Sequence, residues 1–381
     1  MTDDLKGLFE AKTEAMVDLV KELVMIESPT YVKQAVDDMG DRIQEELTDL
    51  GAEVTVEQRA TVGDIVIGEW NADAPGKPLL FVCHMDTVYP LGSLTDNPLR
   101  VEGGLLYGPG TSDEKGGIVT TLMALRTLME EDMLPERPIT ALFTSDEETG
   151  SEYSHELIKT YAKRAALALI MEAAMPDGSL KTWRKSTGRY VLHARGKKSH
   201  AGGAHEFGVN AIEELAHHVL ALQGMTNHKV GTTVNVGMIS GGIARNVVPD
   251  VAEAVVDVRA ATHEEMTRLD NAIKALRPEL LGAELDIEGG FDRVPMVRDD
   301  RMIATFEQAK AICEPYGITL RESGTGGASD GNFTAEVGTP TLDGLGPIGN
   351  DPHSERENVI ITSLNRSATI LAALILDWPS E

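Results

Sequence analysis

The amino-acid sequence predicts an α/β chain built on a mixed sheet, with a smaller ferredoxin-like α+β domain inserted into it. Three observations carry that expectation. Apolar runs at 79–83, 139–144 and 166–171 each end abruptly in His or carboxylate side chains, the pattern of buried strands whose polar edge faces a crevice. Helical segments with one apolar face alternate with these runs. Between 188 and 294 the order changes to βαββαβ, that of a small open sandwich. A chain of 381 residues is long for one core, so the expected organisation is a first part at 1–187, an insert at 188–294 and a second part at 295–381.

Taken in order, Val17, Val20, Leu23 and Val24 repeat at helical spacing until Ser28-Pro29-Thr30 stops the helix. Val32, Val36, Met39, Ile43, Leu47 and Leu50 mark a second helix, ended by Gly51. Strands are expected at 53–56 and 64–70, and Pro75-Gly76 opens the loop into the strand that ends at His84. The glycine-rich stretch 107–117 is too irregular for a regular element and delivers Asp113 just ahead of a helix marked by Ile118, Leu122, Leu125 and Met129. Its spacing fits neither common nucleotide fingerprint, and acidic residues crowd it, which argues against a phosphate cradle. The strand at 139–144 runs into Asp146-Glu147-Glu148, and that at 166–171 into Glu172.

In the insert, strands near 190–194, 232–239, 251–259 and 284–288 enclose helices marked by Ile212, Leu215, Val219 and Leu222 and by 264–276. Beyond it follow a helix at 303–312, a strand at 318–320, a loop at 324–332 whose exposed amides suit an anion, a strand near 340–345, and a closing helix at 361–376.

Composition narrows the function. The formal charge of −27 would repel a phosphate backbone, so no nucleic-acid partner is expected. Two cysteines, Cys83 and Cys313, cannot make a disulfide framework and are expected to pack as small apolar groups. No signal-peptide pattern and no membrane-length apolar run is present, so the expected compartment is the cytoplasm, without a membrane partner.

His84, Asp113, Glu148, Glu172 and His353 make a set of two imidazoles and three carboxylates. That mixture suits two zinc ions sharing one carboxylate, with cobalt or manganese able to substitute, where oxygen ligands alone would suggest magnesium. Glu147, beside a proposed ligand yet not needed as one, is the expected general base. Asp86, two residues past His84 on an extended chain, is expected to hold that imidazole by its second nitrogen. His200 sits in a small-residue turn, Ser199-His200-Ala201-Gly202-Gly203, that could approach a substrate. His217 and His218 lie on a helix, while His155, His193, His228 and His263 have no acidic partner pattern around them, and all six are expected to serve packing or surface roles.

These residues resemble the zinc-dependent exopeptidases and deacylases that include glutamate carboxypeptidase, acetylornithine deacetylase and succinyl-diaminopimelate desuccinylase. The resemblance spans nearly the whole chain through His84-Met85-Asp86, Gly108-Pro109-Gly110 with Asp113 and Lys115-Gly116-Gly117, Asp146-Glu147-Glu148, Glu172, Ser199-His200-Ala201-Gly202, Asn246-Val247-Val248-Pro249 and His353. It implies that Asp113 bridges the metals, that His84 and Glu172 complete one site, that Glu148 and His353 complete the other, and that a non-proline cis peptide follows Asp113. Glu172, Arg293 and the loop Gly326-Gly327-Ala328-Ser329-Asp330 make the glutamate carboxypeptidase branch the most similar. That similarity implies that Arg293, Asn246, Gly326, Gly327 and Ser329 bind substrate, the guanidinium and loop amides taking a carboxylate. It further implies that the insert is a lid that dimerises, so that His200 serves the partner's site in a homodimer. Ala173 and His205 depart from residues that relatives often carry as Pro. The expected reaction is hydrolysis of an amide or peptide bond beside a free carboxylate, releasing C-terminal glutamate from a small peptide or N-acyl amino acid. An N-acyl amino acid deacylase is the alternative, and a non-catalytic peptide-binding relative a further one.

Overall fold

The run Leu79–His84 is buried at every position, as is Ile139–Thr144, and the alternation of their side chains explains the layering. Leu79, Phe81 and Cys83 enter one apolar cluster, whereas Leu80 and Val82 enter another on the opposite face. Strands buried on both faces are expected at the centre of a parallel sheet. The computed structural model describes residues 4–380, which divide into two compact units, one of 4–183, 298–324 and 329–380, the other of 184–297 and 325–328.

In the first unit an eight-stranded sheet runs in the order Glu53–Glu57, Ile65–Trp70, Ile139–Thr144, Leu79–His84, Leu167–Ile170, Thr341–Asp343, Leu180–Arg184 and Glu322–Thr325. The central four are mutually parallel, while Glu53–Glu57, Ile65–Trp70 and Leu180–Arg184 pair antiparallel. The sheet is therefore mixed, and the parallel strands end on a common edge. One face is covered by helices Thr13–Met25, Lys33–Asp49, Gly116–Glu130 and Ile361–Asp377. The other is covered by His155–Ala162 and Gly331–Glu336. Cys83 and Cys313 are buried free thiols in the first layer, and burial pushes the Cys313 thiol up to about 12.

A small second sheet in this unit orders Gly349–Asn350, Asn358–Ile360, Leu105–Tyr107 and Arg100–Glu102. Its register sets Asn358 opposite Tyr107. That pairing brings together two irregular loops, 108–115 and 351–357, which are far apart in sequence.

The second unit holds a four-stranded antiparallel sheet in the order Thr233–Gly241, Val251–Arg259, Thr187–Arg195 and Glu284–Arg293. Along the chain these strands alternate with helices Ala211–Gln223 and His263–Lys274 in the sequence strand, helix, strand, strand, helix, strand. Asn210 and Thr262 cap the two helices through their side chains. Leu192, Leu215, Val256 and Leu269 lie in the separate apolar core of this unit.

One local expectation fails for an identifiable reason. Residues 318–320 form no strand, and the neighbouring strand starts at Glu322. Gly317 takes a left-handed turn with φ of 73°, and the Ile318 N–H closes back on the Cys313 carbonyl at 3.3 Å. The main chain here finishes the preceding helical segment instead of entering a ladder. An additional helix, Leu5–Ala11, buries Leu5 and Phe9, one turn apart.

Candidate metal centre

The centre lies in the first unit, where parallel strand ends meet the two loops brought together by the small sheet. His84 closes its strand and is 2% exposed. Its Nε2 stands 3.0 Å from Asp113 Oδ1, while Asp113 Oδ2 stands 3.0 Å from His353 Nε2. Asp113 thus presents one oxygen to each imidazole. Glu148 approaches from the turn that follows strand Ile139–Thr144, its Oε2 3.2 Å from His353 Nε2, and Glu172 Oε1 lies 3.9 Å from His84 Nε2. The expected cis peptide is present between Asp113 and Glu114. His84 also shares a set of close potential ligand atoms with Asp113 and Glu148 and a second with Glu114 and Glu172, all within 4.8 Å inside each set.

The electrostatics show what this crowding requires. Hydrogen bonds to Asp113 and then Glu148 push His353 up to about 11 against the opposing effect of burial. Burial pushes Glu148 up to about 7, helped by repulsion from Asp113. Burial also opposes ionisation of Asp113, yet its hydrogen bonds with His353 and His84 prevail and hold it well below the carboxylate range. So many carboxylates in so small a volume demand positive charge, and divalent ions can replace protons in that role. Glu148 Oε1 is buried without a hydrogen-bond partner, the condition of an atom reserved for a cation. The mixed imidazole and carboxylate set fits a pair of divalent ions.

Asp86 is fully buried and differs in detail from its expected part. Its carboxylate is 3.5 Å from His84 Nδ1, whereas its own main-chain carbonyl is closer, at 3.0 Å. If an ion were bound at Nε2, donation from Nδ1–H to that carbonyl would leave the Nε2 lone pair for the ion. The Asp86 carboxylate accepts the N–H of Glu147 and of Glu148, each at 3.2 Å, and the Thr30 hydroxyl at 2.7 Å. It therefore shapes the short turn Glu147–Thr149. Glu147 is 8% exposed at the head of that turn.

The other expected residues fall in different settings. His200, in the second unit, is exposed and pairs in a two-stranded ladder opposite Val247. Its Nδ1 accepts the N–H of Gly202 at 3.1 Å and of Gly203 at 2.9 Å, which leaves Nε2 as the ring nitrogen able to donate. Asn246 is exposed, and its carbonyl accepts the Ala201 N–H. Arg293 ends its strand opposite Thr187 and is 7% exposed. Gly326 and Gly327 are exposed. Ser329, in the first unit, is buried; its hydroxyl donates to Asp343 at 2.6 Å and its N–H to Asn332.

Several polar residues around the centre had no separate signal in the sequence. Glu114, 1% exposed, accepts the His84 N–H at 2.8 Å. Lys115 is buried with Nζ 2.8 Å from the Ile26 carbonyl, and burial brings it down to about 7. Lys181 Nζ lies 3.7 Å from Glu172. Three histidines expected in packing or surface roles have acidic neighbours, and His155 lies 3.4 Å from Glu156 beside it. His218 is buried 2.7 Å from Glu214 on one helix, and His193 meets Glu253 across the sheet at 3.3 Å.

Residues 80–377 match the model of Peptidase family M20/M25/M40. The chain belongs to that family. Among curated relatives it is 33% identical to Carboxypeptidase G2 of a Pseudomonas species, over 97% of this chain and 91% of that protein. It is 24% identical to succinyl-diaminopimelate desuccinylase of Thioalkalivibrio sulfidiphilus, over 94% and 97% of the two chains. The crystal structure of aminopeptidase PepT from Bacillus cereus superposes with a TM-score of 0.78 at 25% identity, covering 96% of this chain and 98% of that one. Both a carboxypeptidase and desuccinylases are thus similar to it, and neither branch is clearly favoured. Membership in the family and the clustered potential ligands together support a metal-dependent hydrolase. No helix among the described residues is long and apolar enough to cross a membrane.

Proposed function

We propose that this M20-family chain is a di-zinc carboxypeptidase that hydrolyses an amide or peptide bond beside a free carboxylate and releases C-terminal glutamate. The observation that carries the reading is Asp113, whose two oxygens each face one histidine at 3.0 Å. In this reading His84, Asp113 and Glu172 hold one ion, and Asp113, Glu148 and His353 hold the other. Once bound, such a pair supplies Lewis acidity, polarising the scissile carbonyl and making water more acidic. Glu147 takes a proton from the attacking water as its oxygen bonds to the carbonyl carbon. Glu147 then returns the proton to nitrogen as the C–N bond breaks, leaving a carboxylic acid and a free amine. Asp86 fixes the turn on which that base stands.

The second unit is, in the same reading, a ferredoxin-like lid and dimerisation domain. His200 there offers Nε2–H to the developing oxyanion in the partner subunit's site. Arg293, with the amides of Gly326 and Gly327, takes the substrate carboxylate, and Asn246 binds substrate beside them. Ser329 contributes through the shape of that loop, because its hydroxyl and N–H are engaged elsewhere. The 33% identity with a carboxypeptidase supports this choice over an N-acyl amino acid deacylase, and Glu147 beside a full ligand set speaks against a non-catalytic peptide binder. A screen of the zinc-loaded protein against peptides and N-acyl amino acids with different C-terminal residues tests it. Release of glutamate should lead the panel, whereas preference for N-succinyl or N-acetyl basic amino acids would move the chain to the deacylases.

A further inference from the structure

We propose that Glu357 is the positioning residue of the metal centre, holding the Asp113 loop in place between His84 and His353. The inference rests on the metal-binding reading above and adds to it a residue outside the ligand set. Glu357 is 0% exposed and its carboxylate receives hydrogen bonds from two other segments of the chain. Oε1 accepts the N–H of Ser112 at 2.9 Å, the N–H of Asp113 at 3.0 Å and the Ser112 hydroxyl at 3.0 Å. Oε2 accepts the N–H of Gly110 at 2.9 Å and the Tyr89 hydroxyl at 2.5 Å. The main chain joins in, since the Glu357 carbonyl accepts the Gly108 N–H at 3.2 Å.

Each segment carries one of the residues that meet at Asp113. Tyr89 follows His84 by five positions, Ser112 precedes Asp113, and Glu357 follows His353 by four. The Tyr89 hydroxyl also lies 3.0 Å from the Ser354 carbonyl, tying the first of these segments to the third. The loop 108–115 turns through left-handed glycine at Gly110, with φ of 70°, so few of its own N–H groups can pair locally. Buried N–H groups need acceptors, and one carboxylate gathers three of them from a concave run of amides suited to an anion. Because the N–H of Asp113 is among the three, a shift of Glu357 moves the residue that faces both imidazoles.

Glutamine at this position tests the idea closely. It keeps one oxygen and replaces the other with NH2, which sets a donor against either Gly110 or the Ser112 and Asp113 amides in whichever orientation it adopts. Partners behind metal ligands typically change affinity by about 10- to 100-fold when removed, and Glu357→Gln should weaken zinc binding by that amount. Tyr89→Phe, which removes one contact and leaves the carboxylate, should weaken it less and in the same direction. The readouts are zinc affinity by chelator competition and the visible absorption of the cobalt-loaded protein, whose bands should shift in Glu357→Gln. A role confined to stability would lower the melting temperature and leave both readouts of the folded protein unchanged. Wild-type zinc affinity and an unchanged cobalt spectrum in Glu357→Gln overturn the proposal. If that variant does not fold, Tyr89→Phe decides, and wild-type values there overturn it equally. Neither readout uses a substrate, so an error about glutamate release leaves this test intact. Absence of divalent-ion binding by the wild-type chain would instead remove the metal reading itself.

Discussion

Replacing Asp86 by asparagine should damage the chemical step far more than metal binding. All of the groups facing this carboxylate are donors: Glu147 N–H, Glu148 N–H and the Thr30 hydroxyl, with His84 Nδ1 more distant at 3.5 Å. Asparagine can satisfy one side only. If its oxygen stays with Thr30 and Glu148, its NH2 faces the Glu147 N–H. The loss is then one hydrogen bond to a charged acceptor plus a donor-to-donor conflict, about 1.5–3 kcal/mol. Falling on the turn that carries the proposed base, this corresponds to roughly a 10- to 150-fold loss in kcat, since about 1.4 kcal/mol is tenfold. His84 should suffer less, because its Nδ1 donates to the Asp86 main-chain carbonyl at 3.0 Å, which the substitution leaves in place. The assay is steady-state hydrolysis at saturating zinc together with zinc affinity by chelator competition. The expected result is a large fall in kcat with KM and zinc affinity changed little. Lost zinc affinity with kcat intact at saturating metal would refute the argument and make Asp86 a support of His84 alone.

Other outcomes follow from the same geometry. Glu147→Gln should fold, bind zinc and bind substrate as the wild type does, yet lose about 100-fold or more in kcat; near-normal turnover would place the base elsewhere. Mixing Glu147→Ala with His200→Ala under subunit exchange should restore about a quarter of the sites if His200 serves its partner, since random pairing makes half the dimers mixed; exchange without recovered activity would reject that role. In the second unit, Glu214 is buried and accepts the N–H of Glu279 at 2.9 Å and of Leu280 at 2.7 Å, beside His218. Burial opposes its ionisation, but these bonds prevail and hold its pKa below the ordinary 4.5. Its contribution is therefore present above pH 4.5 and lost as pH falls through the lowered folded value. Glu214→Gln should cost about 1–3 kcal/mol near neutral pH and flatten the acid limb of a urea-denaturation series, whereas an unchanged acid slope would refute the assignment.

The parts of the centre that were legible in the sequence share a physical cause. His84, Glu148 and Glu172 follow apolar runs that can only be buried strands, so polarity at each end announces a common edge. Asp113 and His353 could be placed with them by motif, but the small sheet that pairs Tyr107 with Asn358 is too short to show in periodicity. Glu357 sits in Ser354-Glu355-Arg356-Glu357, which looks like a solvated charged stretch, and only tertiary contacts reveal it as buried. Glu114 adjoins an expected ligand and gives no local sign that its side chain turns back to the His84 main chain. The same limit applies to His193, whose acidic neighbour Glu253 lies 60 positions away and is met across a strand pair. At 318–320, by contrast, the apolar pattern was real but the Ile318 N–H had already been taken by the end of a helix.

The most direct test is a zinc titration of the metal-free chain, following hydrolysis of an N-acyl dipeptide that ends in glutamate. The geometry at Asp113 predicts that glutamate release keeps rising until two equivalents of zinc per chain are bound. Full activity at one equivalent, or none at two, would contradict it.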